Sequence, residues 1–407
     1  ERAMTAPYQP SGSVQNDRRF GRYRSVKIRG VLTATAVVGA MLLPCAPVDA
    51  ANASIAIPSS IAHNCSKDVT AKINAWIAAA PANATLTFVP NGCYRVDGKL
   101  LVRHKSGLTI DGKNATFRAY TSGRELPPSQ ARTRSMWNFW RGDRLTVRNI
   151  KVIGPNRNRA LGKSPYVLAL EGQAAFVVGG VQTMLMERVQ AYDVYGDFVH
   201  VGAATNGLLV RHSTFARNGR QGWNIAGTNI TFDSNSISET ARATIDMEPP
   251  SRTAGANHIV IKNNKVGGGR LYFFASVGLG APINDVQILN NTLERPLTMI
   301  VKAPADAPRT NYVVAGNVST KLYGGNGGSF GFINVHGIDV RDNVQPVAKY
   351  RKPHGVALKD SRDASITNNT FVNAEAPVLD RGGNTNVTQS GNLTGTPATV
   401  YPASMIP

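Results

Sequence analysis

The feature that most constrains this chain is repetition. Six segments, ITFDSNSI, IVIKNNKV, VQILNNTL, YVVAGNVS, IDVRDNVQ and ASITNNTF, alternate apolar residues and then place an asparagine, at Asn235, Asn264, Asn291, Asn317, Asn343 and Asn369. The steps between them are 29, 27, 26, 26 and 26 residues. A unit of that length cannot enclose its own core, so the units must stack as coils of a solenoid and bury a shared one. Alternation at period two marks each unit as a β-strand with one side chain of each pair turned inward. Asparagine tolerates the bend and can hydrogen-bond its counterpart one coil on, which predicts a ladder along the axis.

A second repeat predicts where chemistry sits. GDFVHV, RQGWNI and ATIDMEP recur at a step of 24, which places Phe198, Gly222 and Asp246 in one column and His200, Asn224 and Glu248 in another. Alternation from Ala243 to Glu248 turns Ile245 and Met247 inward and Thr244, Asp246 and Glu248 outward. Coils about 4.8 Å apart gather these side chains into a cluster, with Arg220 beside it and Asp197 and Gln221 at matching strand starts.

Hydrolysis of a glycosidic bond needs one carboxyl group to protonate the leaving oxygen and a second to act as base or nucleophile. Asp246 and Glu248, with Asp197, are the candidates, and like charges this close raise the pKa of one of them. His200 is a candidate proton carrier. Arg220 and Arg242 suit a substrate carboxylate or phosphate, and Gln221 and Asn224 are polar neighbours placed to bind substrate. The competing reading is a solvated face in which Asp246 and Glu248 pair with Arg220 and Arg242. Further on, Arg270, Tyr272 and Phe274 alternate with Leu271 and Phe273; if the latter pair is internal, the former presents a cation and two aromatic faces to a sugar. Lys302 and Lys359 either extend a basic track or are ordinary surface lysines.

The remaining sequence bounds the organisation. Arg18, Arg19, Arg22, Arg24, Lys27 and Arg29 precede the apolar run from Val31 to Leu43, and Val48-Asp49-Ala50 follows. That order reads as a secretory signal peptide. Its apolar run falls short of the ~20 residues that span a bilayer, so a secreted protein without stable membrane association is expected after cleavage. Residues 1–50 are therefore assigned to the leader, 51–95 to an N-terminal cap and 96–407 to the coils. In the cap, Val69, Ile73, Trp76 and Ile77 share one face of a helix that Pro81 stops. Cys65 and Cys93 are expected to form a disulfide at an oxidising destination.

Those cysteines lack the neighbours of a zinc site, no acidic loop suits calcium, and Tyr323 to Ser329 lacks the lysine of a phosphate loop. Neither metal nor cofactor is expected. The stretch from Ala119 to Trp140, rich in Arg, Pro and Ser, is expected to overhang one face as a loop. The net charge of +20 suits an anionic polysaccharide partner or simply solubilises the surface. Nucleic acid is disfavoured, because the basic residues are scattered singly and no groove-reading helix is apparent.

GDFVHV followed by GRQGWNI and TIDMEP resembles the pectin-lyase-like superfamily of right-handed parallel β-helix proteins, over roughly Ala62 to Thr399. Gly196, Asp197, Arg220, Gln221, Gly222, Asp246, Glu248 and Pro249 match motifs of that superfamily, while Phe198 and Trp223 depart from them. The resemblance implies an all-β, right-handed parallel β-helix with a short capping helix, which binds polysaccharide along its lateral face. It does not fix the reaction: the Asn-Thr-Asp, Asp-Asp, Gly-His-Gly and Arg-Ile-Lys set of polygalacturonase-like hydrolases is not intact, nor is the calcium cluster of pectate lyases. Three readings follow. They are a glycoside hydrolase working through carboxylates, a uronate lyase using Arg220, His200 or a lysine, and a non-catalytic glycan-binding β-helix.

Overall fold

The computed structural model describes residues 53–396 apart from 125, 158–165, 250, 268–271, 278–279, 295–297, 321–329 and 347–353. The proposed leader, Arg270, Leu271 and the glycine-rich stretch from Tyr323 lie outside the described residues. The chain winds as a parallel β-helix. Asn206–Arg211, Thr214–Asn218 and Trp223–Ile225 make one coil, and Gly227–Asp233, Ser236–Ser238 and Ile245–Asp246 the next. Stacking is in parallel register, with Leu208 beside Ile230, Phe215 beside Ile237 and Trp223 beside Ile245. Two strands of each coil join a 24-stranded sheet and the third joins an 11-stranded sheet.

Inward positions stack like with like. Leu208, Ile230, Ile259, Val286, Tyr312 and Ile338 form one buried column of a core that runs from Ile57 to Ala374. Each such side chain contributes about 1.5–3 kcal/mol by burial. Stacking identical positions could also stack identical charges on the outside. The sequence avoids this: Asp111, Arg148, Glu187, Arg211, Asp233 and Lys262 occupy successive rungs of one outer column with alternating sign. Arg148 bonds Asp111 at 3.1 Å, Arg211 bonds Glu187 at 2.7 Å and Lys262 lies 3.5 Å from Asp233.

The asparagine ladder forms as the repeat predicts. Each Oδ1 accepts the backbone N–H of the preceding ladder residue at 2.9–3.0 Å and its Nδ2–H at 2.9–3.0 Å. Each Nδ2 also donates to a strand carbonyl such as Phe232, Ile261 or Ile288. Asn392 adds a further rung beyond Asn369. The bend itself falls one residue before each ladder asparagine, where Ser234, Asn263, Asn290, Gly316, Asp342 and Asn368 have φ of 53–65°. Glycine, asparagine and aspartate visit that left-handed region most readily, which accounts for the NN, GN and DN dipeptides.

The first coil is covered by the helix Thr70–Ala79, which buries Ile73, Trp76 and Ile77. Asn74 extends the sheet edge from this helix: its Nδ2 donates to the Lys99 carbonyl at 2.8 Å and its Oδ1 accepts from Leu101 N–H at 2.8 Å. Backbone groups that would otherwise template another chain are thereby satisfied. Lys105 Nζ closes the helix C-terminus on the carbonyls of Ala78 and Ala80 at 2.7 and 2.6 Å. Cys65 and Cys93 are disulfide-bonded across the cap, with Cα atoms 5.0 Å apart. Between Ala119 and Trp140 the expected loop is partly ordered as the helix Pro128–Arg132 and ends in the sheet strand Trp137–Trp140. Among the described residues no helix is long and apolar enough to cross a membrane.

Candidate functional site

The predicted carboxylate cluster assembles on the outer face of the smaller sheet, but in a different register. His200, Asn224 and Asp246 are aligned across Val199–Val201, Trp223–Ile225 and Ile245–Asp246. A uniform step of 24 had put Glu248 in that column; the second step is 22. Two residues are saved at the turn after Ile225, where Gly227 adopts φ 94°. A Cβ there would lie 2.5 Å from the Thr205 carbonyl oxygen, so only glycine makes the shortened bend without displacing its neighbour. Asp246 therefore neighbours Asn224, and Glu248 lies one pleat further along.

Two aromatic assignments are also corrected. Phe198 does not face outward; it is fully buried and packs on Phe215 with centroids 5.6 Å apart. Phe274 is likewise core, because inward positions in its strand begin at Phe274 rather than at Phe273 alone. Phe273 is buried as expected and Tyr272 is exposed. Of the proposed stacking set only Tyr272 is placed on the surface; Arg270 lies outside the described residues. Lys302 and Lys359 are exposed on the smaller sheet, one rung either side of Ile333.

Arg220 organises the cluster. Its Nη1 contacts Asp197 Oδ2 and Oδ1 at 2.9 and 3.1 Å, its Nη2 contacts Glu248 Oε2 at 3.1 Å, and its Nε lies 3.6 Å from Glu171 Oε2. Burial works against this charge, but the carboxylates of Asp197, Glu248 and Glu171 outweigh it and hold the guanidinium above its ordinary pKa. Asp197 also accepts the Gln221 backbone N–H at 3.2 Å and lies 3.4 Å from His200 Nδ1. Gln221 and Asp197 thus sit at matching strand starts, as predicted.

Asp246 is 6% exposed. Gln221 Nε2 donates to its Oδ2 at 2.6 Å. Burial first, then the Glu248 carboxylate, drive its pKa up to about 7, against the Gln221 hydrogen bond and the Arg220 charge. Glu248, with its side chain 33% exposed, reaches solvent one pleat from it, and His200, at 44%, does so two rungs away. The site therefore pairs a carboxyl group that holds its proton near neutrality with a carboxylate bound to a guanidinium. Environments that separate two carboxyl groups in this way assign an acid and a base.

Sequence reasoning missed Glu171 and Tyr166. Glu171 bonds Arg132 and Tyr166, and burial, then that carboxylate, push the Tyr166 hydroxyl up to about 12. Arg242 lies over the Tyr166 ring at 5.0 Å, so it joins the cluster through an aromatic face. Neither Glu171 nor Tyr166 belongs to the repeat, so periodicity could not find them. Among the described residues no three His, Cys, Asp or Glu side chains converge as a metal site. A separate groove of about 650 Å³ lies on the larger sheet between Leu185, Leu209 and Thr231. Its charges Arg144, Arg211, Asp233 and Lys262 are already paired, so it offers no carboxyl pair poised for chemistry.

No family model and no curated protein sequence matches the chain. Solved structures do. The tailspike protein of E. coli bacteriophage HK620, in complex with a pentasaccharide, aligns at TM-score 0.60 and 11% identity over 84% of this chain and 67% of its own. An exopolygalacturonase from Thermotoga maritima aligns at TM-score 0.58 and 10% identity over 84% and 91%. PfbA, a surface adhesin of Streptococcus pneumoniae, aligns at TM-score 0.57 and 12% identity over 83% and 93%. Identities this low speak to architecture alone. The chain has the parallel β-helix fold of these proteins.

Proposed function

We propose that the protein is a secreted glycoside hydrolase that acts on an anionic polysaccharide laid across the outer face of the smaller sheet. The observation that carries this reading is the buried Asp246, whose pKa is raised by burial and the neighbouring carboxylate, beside the solvent-reaching Glu248. Because Gln221 Nε2 donates to Oδ2 of Asp246, the proton belongs on Oδ1. From there it passes to the glycosidic oxygen as the bond to the sugar carbon breaks. Glu248 assists the attack at that carbon, as base towards water or as nucleophile. Asp197 is a positioning residue, holding Arg220 and His200 rather than touching substrate. Names of structural neighbours, a polygalacturonase and a tailspike bound to a pentasaccharide, support a glycan as the partner.

Elimination is the weaker reading. A lyase using Arg220 needs that guanidinium free for substrate, and three carboxylates engage it. The test is incubation of the protein with neutral and uronic-acid polysaccharides, following reducing ends and the absorbance of unsaturated uronates. New reducing ends without absorbance are expected. Asp246→Asn and Glu248→Gln should each lower kcat by about 10²–10⁴-fold, and wild-type activity should fall as pH rises through about 7, where Asp246 loses its proton. Both signals together would move the chemistry to elimination; glycan binding without either would leave a binding protein.

A further inference from the structure

We propose that Arg103 and Trp140 form a uronic-acid-binding subsite at the far end of a lane leading to Glu248. Trp140 is 46% exposed, whereas the other three tryptophans, Trp76, Trp137 and Trp223, are buried. It sits on the smaller sheet with Gly179 on the next rung, and a Cβ on Gly179 would lie 2.3 Å from the indole Cζ3. The indole thus lies against bare backbone. Gly202 follows Val201, which pairs with Val178, and a Cβ there would meet nothing nearer than 3.5 Å. Ala226 succeeds it, its N–H bonded to the Val201 carbonyl at 3.0 Å, and Glu248 comes on the next coil. Between Trp140 and Glu248 the column holds only Gly179, Gly202 and Ala226, the last of them 2% exposed. Four coil steps give a lane about 19 Å long.

On the other side of Trp140, Arg103 is aligned in register and exposed. It forms none of the ion pairs found among the described residues. An exposed aromatic face takes the apolar face of a pyranose ring, and an unpaired guanidinium beside it takes a carboxylate. Together they specify a hexuronate. The inference rests on reading this sheet as the glycan-binding face, and it adds the sugar class and the direction of the bound chain.

The test uses acrylamide quenching of tryptophan fluorescence in the full chain, which reports on Trp140 because the other indoles are covered. Hexamers of galacturonate and mannuronate are compared with cellohexaose. At least one uronate hexamer should shield the fluorescence and bind more weakly as salt rises. Measured by isothermal titration calorimetry, which does not depend on the indole, Trp140→Ala should weaken that binding about tenfold, with Trp140→Phe recovering most of it. Gly202→Leu should block the lane while melting like wild type, since its Cβ has room. Arg103→Ala should remove the preference over cellohexaose. Absence of shielding by every hexamer, or unchanged affinity in both Trp140→Ala and Gly202→Leu, overturns the subsite. Glu248→Gln separates the two readings: it should slow product release by about 10²–10⁴-fold and leave the shielding intact. Reducing ends released by a wild-type protein whose Trp140 is not shielded would remove the subsite and keep the hydrolase.

Discussion

The asparagine ladder and the carboxylate cluster are both stacks of buried polar side chains, and they end in opposite conditions. In the ladder every amide donates and accepts within 2.7–3.2 Å, and the column carries no charge. In the cluster Asp246 retains its proton, and Gln221 Oε1 is buried without a partner. A buried polar group stabilises only when its hydrogen bonds are complete; left incomplete, it stores a penalty that chemistry can use. The same device of aligned side chains one coil apart thus serves stability on one sheet and reactivity on the other.

The sharpest way to break the contrast is to remove the charge that the cluster depends on. Arg220→Met leaves Asp197, Glu248 and Glu171 facing one another in a site closed to most solvent. Losing one member of such a group should destabilise by about 3–5 kcal/mol, read as a shift in urea midpoint at unchanged slope. An Arg220→Met protein as stable as wild type would mean that the carboxylates are solvated and that no strain is held there. Asn317→Ala tests the other side. It removes the acceptor for the Asn291 backbone and side-chain N–H groups and the donor to the Ile288 carbonyl. A loss of about 2–3 kcal/mol is expected, with no change in glycan binding.

A third measurement asks whether the strain is electrostatic. Unfolded, Asp246 titrates near 3.9; folded, near 7. Between those values the unfolded chain releases a proton that the folded chain keeps, so this residue's contribution to stability falls as pH rises from about 4 to 7 and is flat above. Asp246→Asn lacks that loss. It should match wild type near pH 4 and exceed it by on the order of 1–2 kcal/mol at pH 8, less than the full pKa shift implies because the amide forgoes the attraction of Arg220. Parallel stability curves from pH 4 to 8 would mean that Asp246 ionises normally.

What the sequence reveals follows the same division. The ladder could be read directly because its steps hold between 26 and 29 residues, and a near-constant step is itself the structure. The cluster depended on a turn. Gly227 shortens one coil by two residues, so the arithmetic that aligned Asn224 with Glu248 failed, although Asp197 and Glu248 still meet at Arg220. Phe198 misled for a related reason: it precedes its strand, where strict alternation does not apply, and turns into the core. Glu171 and Tyr166 arrive from outside the repeat. Their contribution is tertiary and leaves no period to detect.

The smallest effect expected comes from the end of the ladder. Asn392 accepts from the Asn369 backbone and side chain at 3.0 Å and donates to the Ile366 carbonyl at 2.7 Å; an interior rung such as Asn317 makes the corresponding three bonds and in addition donates to Asn343 Oδ1 at 2.9 Å. Asn392 is only half-buried, however, in a coil whose Leu393 is exposed. Water can take over each bond that Asn392→Ala removes, so the loss should stay below about 1 kcal/mol, against the larger loss at Asn317. Because coils contact only their neighbours, terminal rungs can also fray without unfolding the centre. Hydrogen exchange should then show faster opening at Asn369 with the amides of Asn291 and Asn317 unchanged. Equal losses at the two positions would mean that ladder bonds stabilise through cooperation along the whole column rather than through local exclusion of water.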